Sequence, residues 1–341
     1  MMRMSTLCYL LQGDQVLMLH RTVKANDVNH GKWIGVGGHF EADESPEECL
    51  LREVWEETGY TLTAWRFRGI VTFVSGDGVT EYMHLFTADG FSGEPHPCDE
   101  GELAWVDRDA VWGLNLWEGD RIFFRLMMET AGFFSLKLMY NGHDRLVYAA
   151  LNGQPMELFD VLDENGRKTG VVRERGVAHR DGSLHGTVHM WIVRRGAAGP
   201  EVLLQRRAQS KDSNPGCYDI SSAGHIAAGG EVMDAAVREM REELGLSVGP
   251  EDLHYLGQHR GGFRSRFHGH PFWDNELSHV FVYTNPVTVD DLMLQPEEVA
   301  AVRWMGMDAC LAGMRDGSLP NCIHEDELEM VRAYLGVDAF E

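Results

Sequence analysis

One acidic pattern of 23 residues occurs twice in this chain, and the repeat constrains the fold more than any other feature. The first copy runs from Gly38 to Tyr60, and the second begins at Gly224, an offset of 186 residues in a chain of 341. Each half is long enough to bury an apolar core of its own. We therefore predict two domains, residues 1–151 and 156–341, joined by the turn-forming Asn152-Gly153-Gln154-Pro155.

The spacing of apolar residues predicts α/β domains with mixed sheets. The helix of the first copy has clear boundaries, because Ser45 and Glu48 form a capping box and Gly59 provides a stop. In the first half we predict helices at 45–59 and 121–130 and strands at 6–11, 16–21, 31–38, 67–75, 82–88, 134–140 and 145–151. In the second half we predict helices at 232–244, 308–314 and 325–335 and strands at 156–162, 168–175, 188–194, 201–205, 253–257 and 277–284.

Composition excludes several classes of protein. The chain has 30 Lys and Arg against 53 Asp and Glu, a formal charge of -23, which argues against a broad basic surface for nucleic acid or anionic lipid. No run approaches the roughly 20 apolar residues that span a bilayer, and the N-terminus becomes polar too early for a secretion signal. We expect a cytoplasmic protein that binds small molecules, with no membrane or nucleic-acid partner. The oligomeric state is left open.

The repeated pattern places carboxylates where they can bind a metal ion. Glu53, Glu56 and Glu57 stand at i, i+3 and i+4, so they share one helix face and repel each other. Mg²⁺, with Mn²⁺ as an alternative, removes this repulsion and binds substrate phosphates through its remaining positions. Arg52 can hold a neighbouring carboxylate in place. A solvated acidic face is the alternative, but it explains neither the preceding glycines nor the second copy.

This pattern resembles the signature of the Nudix hydrolases, and the resemblance covers nearly the whole chain. Membership implies an α/β/α sandwich and metal-dependent cleavage of a nucleoside diphosphate linked to another group. Tyr60 departs from the aliphatic residue usual at the end of the signature. By the resemblance, metal and catalytic positions are Gly37, Gly38, Arg52, Glu53, Glu56 and Glu57 in the first copy and Glu239, Glu242 and Glu243 in the second.

The first half resembles the MutT type, including the mammalian homologue that hydrolyses oxidised purine nucleoside triphosphates to monophosphate and pyrophosphate. The matching segments are Gly31-Lys32-Trp33-x-Gly35-x-Gly37-Gly38 and the stretch from Asp99-Glu100 to Trp117-x-x-Asp120. The match implies that Glu100 ligates metal or acts as base, that Trp117 stacks on the nucleobase and that Asp120 hydrogen-bonds its edge. Trp33 and the basic Arg21 are further candidates for substrate binding.

Each of these assignments has a structural alternative. Trp117 can be a core aromatic, Asp120 can cap the following helix, and Arg21 can be solvated surface. One departure bears on specificity: this chain has Ile34 where the MutT homologue has Asn, and an alkyl group cannot hydrogen-bond the base.

The second half resembles the isopentenyl diphosphate isomerase branch of the same fold. The segments that match include Ala178-His179-x5-His185, Gln205-Arg206-Arg207-x3-Lys211, Ala223-Gly224-His225 and Asp274-Asn275-Glu276. By the resemblance, a metal site is formed by His179, His185, His225, Asp274 and Glu276, and the diphosphate is held by Arg207 and Lys211. The isomerase cysteine is replaced by Ala223, which cannot move a proton.

Three functions therefore remain open for the second half: hydrolysis of another diphosphate, isomerisation, and metabolite sensing without turnover. Gly230 stands where the first copy has Glu44, so a supporting carboxylate is missing. Glu231 can take its place or serve as a charge at the helix start. We predict that the first half is the competent enzyme, a Mg²⁺-dependent hydrolase of a nucleoside triphosphate such as 8-oxo-dGTP.

Overall fold

The computed structural model describes residues 2–24, 26–211, 213–267 and 269–336. The chain divides into two compact units, Met1–Leu158 with Val171–Val177 and Phe159–Gly170 with Ala178–Glu341. Both units are built around mixed sheets with helices, which confirms the predicted α/β class. Across the described segments, no helix is both long enough and apolar enough to cross a membrane.

The first unit is built around one large sheet. Its helices are α1 (Pro46–Thr58) and α2 (Glu118–Glu129). In chain order, β1 to β9 are Met2–Gln12, Gln15–Arg21, Trp33–Ile34, Thr61–Val74, Thr80–Ser92, Gly101–Asp107, Phe134–Tyr140, Leu146–Leu151 and Gln154–Pro155. The sheet has the order β3-β2-β1-β5-β4-β7-β8-β9, and β6 pairs with β2. Strand β1 runs parallel to β5 and antiparallel to β2.

The two helices cover opposite faces of this sheet. Cys8 and Leu10 of β1 belong to the same core cluster as Leu50 and Val54 of α1. Tyr9, between them in β1, packs its ring against two phenylalanines of α2, with centroids 5.5 and 6.3 Å apart. Because successive side chains of a strand point to opposite faces, β1 lies between a helix on each side. This is the layer arrangement of an α/β/α sandwich.

The second unit repeats this arrangement with additional helices. Its helices are α3 (Arg175–Asp181), α4 (Val232–Leu244), α5 (Met307–Asp316) and α6 (Glu325–Leu335), α3 beginning within Val171–Val177. The strands β10 to β18 are Leu158–Leu162, Lys168–Glu174, His185–Gly196, Gly199–Arg207, Tyr218–Asp219, Ser222–His225, Leu253–Phe267, His270–Tyr283 and Val299–Gly306. Leu158 of β10 and the end of β11 from Val171 are grouped with the first unit. The main sheet has the order β14-β13-β12-β17-β16, with β15 on β12 and β18 on β13, while β10 and β11 pair separately.

As along β1, side chains on the two faces of β12 pack separately, here in two different hydrophobic clusters. Val188 and Met190 pack in the cluster that contains Met240 of α4. Trp191, on the other face of the strand, packs in the cluster that contains Leu328 of α6. Helix α4 carries the second acidic pattern and packs on one face of β12, just as α1 packs on one face of β1 in the first unit.

The predicted boundaries differ from the structure where polar or glycine-rich sequence forms strands. The prediction ended a strand at residue 257, but β16 continues to Phe267. Gly257 has φ 141° beside a break in register, and a side chain at Gly262 would lie 2.3 Å from the carbonyl oxygen of Asp274. These glycines permit pairing that a residue with a Cβ would obstruct. Likewise, α2 begins at Glu118 rather than residue 121. Helix α3 and strands β6, β14, β15 and β18 were not predicted, nor was β9, which forms at Gln154–Pro155 in the predicted linker.

Candidate active sites

Helix α1 presents the first acidic pattern because both of its ends are fixed. The Ser45 side chain accepts a hydrogen bond from the Glu48 amide (3.2 Å), and Glu48 accepts one from the Ser45 amide (2.8 Å). Gly59 ends the helix in the left-handed conformation, with φ 79°. This is the predicted capping box and stop. It sets the rotation of the helix and therefore the direction of its carboxylates.

Arg52 joins the carboxylates of the first pattern. Its guanidinium binds both oxygens of Glu44, at 2.6 and 2.9 Å, and donates to Glu53 at 2.6 Å. It also donates to the backbone oxygen of His39 at 3.0 Å, and Glu56 lies 3.4 Å away. The hydrogen bonds from Arg52 lower the pKa of Glu44 to about 2. Glu44 thus stays ionised and holds Arg52 against the loop that carries the glycines.

Two glycines bring the backbone against the helix. A Cβ at Gly38 would lie 2.5 Å from the Glu53 carboxylate, and one at Gly37 would lie 2.1 Å from the backbone oxygen of Thr6. The Gly37 amide donates to Glu57 at 2.9 Å. The absence of a Cβ therefore lets the loop contact the carboxylates directly. A metal ion bound by this helix would lie beside exposed backbone as well as carboxylate oxygen.

The electrostatics of the first site favour a bound cation. Burial, together with the neighbouring Glu53 charge, raises the pKa of Glu57 to about 7 despite the Gly37 hydrogen bond. Arg21 pairs with Glu100 and lies 3.8 Å from Glu57, and Lys24 pairs with Glu100 at 2.7 Å. Oxygen donors crowded in this way match the preference of Mg²⁺ for carboxylates. The residues present therefore fit a hard divalent ion.

A cleft of about 1160 Å³ extends from this acidic site to the predicted base-binding residues. Glu53 and Glu100 line it near the helix, and Trp117 and Asp120 line it at α2. The Trp117 indole donates to Asn29 at 2.9 Å, and burial raises the pKa of Asp120 to about 7. Asp120 lies in the first turn of α2 and is not its N-cap, a position that Trp117 occupies. The cleft thus joins residues that are far apart in the sequence.

Not every predicted residue lines this cleft. Within the described residues, the cleft walls include Ile34 and Arg21 but not Trp33, Glu56 or Glu57, and the Glu57 side chain is buried behind the loop at Gly37. Trp33 stacks on His20 with ring centroids 4.5 Å apart, and the Glu56 side chain is 51% exposed. Sequence reasoning missed the apolar Phe73, Met83 and Val28, which also line the cleft. In the sequence these three are ordinary apolar residues of strands and loops, and nothing distinguishes them from residues of the core.

The second pattern reproduces the contact between glycine and helix. A Cβ at Gly224 would lie 2.0 Å from the carboxyl carbon of Glu239, and the Ala223 amide donates to Glu243 at 3.1 Å. Arg238 donates to the backbone oxygen of His225 at 3.1 Å, as Arg52 does to His39. Burial and the Glu239 charge raise the pKa of Glu243 to about 8. Both copies thus form a buried acidic site with the same connections.

The copies differ at the arginine. Arg238 pairs with Glu239 at 2.7 Å and Glu242 at 2.9 Å, but its side chain is 40% exposed against 21% for Arg52. Gly230 lies in a turn closed by its own amide on the Ala227 oxygen, at 2.8 Å. Glu231 caps α4 through its backbone and is exposed. In the described part of the second unit, no ion pair joins Glu231 to Arg238.

A histidine cluster adjoins the second acidic site. Polar side-chain atoms of His179, His185, His225 and Glu276, four of the five residues of the predicted metal site, all lie within 4.8 Å of one another. Asp274 is also close, 3.6 Å from His179. Strand pairing explains the proximity, because His185 is opposite Glu276 and Thr187 is opposite His225 in the sheet. Three imidazoles and a carboxylate form a ligand set that suits a transition-metal ion better than it suits Mg²⁺.

The predicted diphosphate-binding residues of the second unit are engaged by carboxylates. Arg207 binds Asp219 at 2.9 Å and the backbone oxygen of Ser213, and Lys211 pairs with Glu298. These contacts position both cations but also neutralise them. A phosphate group would therefore compete with Asp219 and Glu298.

The chain is similar to proteins of one family. Nudix hydrolase 3 of Arabidopsis thaliana is 40% identical over 159 residues, 44% of this chain and 19% of that protein, so the chain spans about a fifth of that relative's length. An oxidized purine nucleoside triphosphate hydrolase of Danio rerio is 33% identical over 147 residues, 42% of this chain and 91% of that protein. The isopentenyl-diphosphate Delta-isomerase of Pectobacterium atrosepticum is 29% identical over 154 residues, 45% of this chain and 79% of that protein.

The two acidic sites lie in the stretches that match a family model. The model of the NUDIX domain covers residues 1–127 and 184–324, which include both glycine loops and both acidic helices. Since these stretches make up well over half of its residues, the chain belongs to the Nudix family.

Proposed function

We propose that the first unit is a Mg²⁺-dependent pyrophosphohydrolase that cleaves a nucleoside triphosphate to a monophosphate and pyrophosphate. The observation that carries this proposal is the cleft of about 1160 Å³ that connects Glu53 and Glu100 with Trp117 and Asp120. Ligand sites usually measure roughly 300–1,000 Å³. A cleft of this size has room for the base, sugar and phosphates of one nucleotide together with metal-bound water.

The acidic end of the cleft supports the hydrolytic step. Mg²⁺, when bound, neutralises phosphate oxygens and activates water for attack on phosphorus. In this proposal Glu56 and Glu57 bind the ion, and Glu53 either binds it or accepts the proton from the attacking water. Glu100 is the alternative base, since it also lines the cleft, where its carboxylate pairs with Arg21 and Lys24. Arg52 orients Glu53 through the 2.6 Å hydrogen bond.

The other end of the cleft supports recognition of a purine. Trp117 offers an aromatic face whose ring plane is held by the hydrogen bond to Asn29. Asp120 has a pKa of about 7, so it can donate a hydrogen bond to a base acceptor when protonated or accept one from a base N–H. The relative from Danio rerio is named for oxidised purine nucleoside triphosphates. We therefore propose an oxidised purine, such as that of 8-oxo-dGTP, as the preferred base.

A nucleotide panel with two matched variants tests this proposal. Pyrophosphate release by the full-length chain with Mg²⁺ is measured for oxidised and unmodified purine triphosphates. Glu57→Gln removes a metal ligand and should lower kcat by on the order of 100-fold or more. Glu243→Gln makes the same change in the second unit and should leave this activity within about twofold. The opposite pattern would show that the second unit hydrolyses the triphosphate.

The second unit supports a separate proposal, metal-dependent hydrolysis of a different diphosphate. The retained contacts of Gly224 and Ala223 with the α4 carboxylates favour it over binding alone. Isomerisation is disfavoured, because Ala223 has no group that can transfer a proton. Incubation with isopentenyl diphosphate and with a panel of other diphosphates separates the three functions: a new isomer, phosphate release, or binding without turnover.

A further inference from the structure

The second unit contains another group of metal-ligating side chains, away from the acidic helix α4. His259 lies in strand β16, and His324 and Asp326 lie at the start of helix α6. One ligand atom from each residue lies within 4.8 Å of the other two. Tetrahedral sites with metal–nitrogen bonds of about 2.0–2.1 Å separate their ligand atoms by about 3.4 Å. Side-chain rotations of the two residues on α6 can therefore complete the ligand set.

The side chains already face one another. His259 Nε2 lies 3.0 Å from Asp326 Oδ2, and the rings of His259 and His324 have centroids 4.9 Å apart. Gly261 leaves the space for both rings. A Cβ there would lie 2.9 Å from His324 Nε2 and 3.1 Å from His259 Cε1. The pairing of His259 with Asp326 alone would be an ordinary hydrogen bond, but it does not account for the second imidazole beside it.

A buried carboxylate supports the inner histidine. His259 Nδ1 faces Glu327 at 3.6 Å, and Glu327 is 1% exposed. Glu327 is held by hydrogen bonds from Trp191 Nε1 at 2.6 Å and from His189 Nδ1 at 2.8 Å. Metal-binding histidines commonly direct their second ring nitrogen to a carboxylate in this way. Glu327 lies on the Nδ1 side of the ring and Asp326 on the Nε2 side, so Nε2 points to the place where a metal ion would bind.

The donor set also indicates which ion it suits. Imidazole nitrogens bind Zn²⁺, Co²⁺, Ni²⁺ and Cu²⁺ in preference to Mg²⁺. Three protein ligands leave a fourth position for water, and the Asp326 side chain is 75% exposed, so solvent can reach it. We propose that His259, His324 and Asp326 form a divalent transition-metal site, suited to Zn²⁺, that attaches the start of α6 to strand β16. Helix α6 contributes Leu328 and Val331 to the core, so the ion stabilises a helix on which that core depends.

Counting bound Co²⁺ tests this site. The full-length protein is treated with a chelator and titrated with Co²⁺, and binding is followed by calorimetry and visible absorption. Because the cluster around His185 can also bind Co²⁺, the measured quantity is the difference between proteins. We expect His324→Ala to bind one ion fewer than the wild type, and Asp326→Asn to lose that ion or bind it at least tenfold more weakly.

Two further measurements make the result decisive. His254→Ala removes an exposed histidine of the same strand that packs on Tyr334 of α6, and it should bind as many ions as the wild type. Zn²⁺ should raise the Tm of the wild type and of His254→Ala more than that of either site variant. Asp326→Asn preserves the shape of an exposed side chain, so it tests the site even if His324→Ala fails to fold. Unchanged stoichiometry and affinity in both site variants would overturn the proposal.

Discussion

The two acidic helices carry nearly the same pattern, but the arginine within each is held differently. In the first unit Arg52 is bound on both sides, by Glu44 and by Glu53. In the second unit Arg238 pairs with Glu239 and Glu242 on its own helix, and Gly230 replaces the outer carboxylate. The contacts between the loop and the helix carboxylates are kept in both. The comparison shows that a repeated motif can preserve the backbone contacts of its site while losing the ion pair that supports them.

A second difference lies in the loop itself. Gly37 of the first unit corresponds to Ala223 of the second, and both donate their amide to the buried glutamate of the helix. Gly37 has φ 154° and no room for a Cβ beside Thr6. The second loop follows a path that accepts a side chain. The two sites are therefore not interchangeable at the atomic level.

The largest expected effect comes from exchanging these two loop residues. Gly37→Ala forces a Cβ against the Thr6 carbonyl, so we expect a loss of roughly 2–4 kcal/mol in the free energy of unfolding and at least about a 100-fold loss of nucleotide hydrolysis. Ala223→Gly should cost about 1 kcal/mol and leave that hydrolysis unchanged. Thermal denaturation and kcat of the full-length variants provide the measurements. Equal effects of the two changes would contradict the difference drawn between the loops.

An intermediate effect is expected at the carboxylate that only the first unit has. Glu44→Gln weakens the pairing that positions Arg52, and kcat for the triphosphate should fall about 10–100-fold with little change in KM. Glu47→Gln makes the same charge change at an exposed position three residues further on, in the first turn of α1, and serves as control. Since the pKa of Glu44 is about 2, the loss should be constant from pH 6 to 9. If Glu44→Gln and Glu47→Gln have the same kcat, the carboxylate of Glu44 does not support the first site. Its replacement by Gly230 would then not weaken the second site.

The smallest expected effect is a pH dependence of kcat/KM that arises from Asp120 and would therefore assign the activity to the first unit. Asp120 has a pKa of about 7, so below that pH its protonated carboxyl donates to the base, and above it the group can only accept. For a base that presents an acceptor, kcat/KM should fall by up to about tenfold as pH rises through 7. Asp120→Asn keeps a donor at every pH and should remove this dependence. The measurement is the ratio of kcat/KM of the wild type to that of Asp120→Asn at each pH. This ratio is independent of the titration of the nucleotide, which affects both proteins equally.

The same pH profile can contradict the assignment. Hydrolysis that is lost in Glu243→Gln but keeps its wild-type pH profile in Asp120→Asn would place the measured activity in the second unit.

Much of the helix that carries each site could be predicted from sequence. Capping by Ser45 and Glu48, termination at Gly59 and the shared face of the glutamates depend on interactions within a few residues. The proximity of His185 and Glu276 was also expected, but only through resemblance to known proteins, since the two residues come from separate strands. The predicted end of β16 was wrong, because glycines allow the polar segment that follows to pair with the neighbouring strand.

The sequence by itself determined the family, the α/β class, the repeat and the residue types that can hold a metal ion. Tertiary structure alone decided which of these residues meet. It brought Trp117 and Asp120 to the same cleft as Glu53, paired Arg207 with Asp219, and placed His324 beside His259. The physical reason is range: helix periodicity and capping act over a few residues, whereas contacts across a sheet depend on strand order and register. Those depend on the packing of the whole core, which no local pattern specifies.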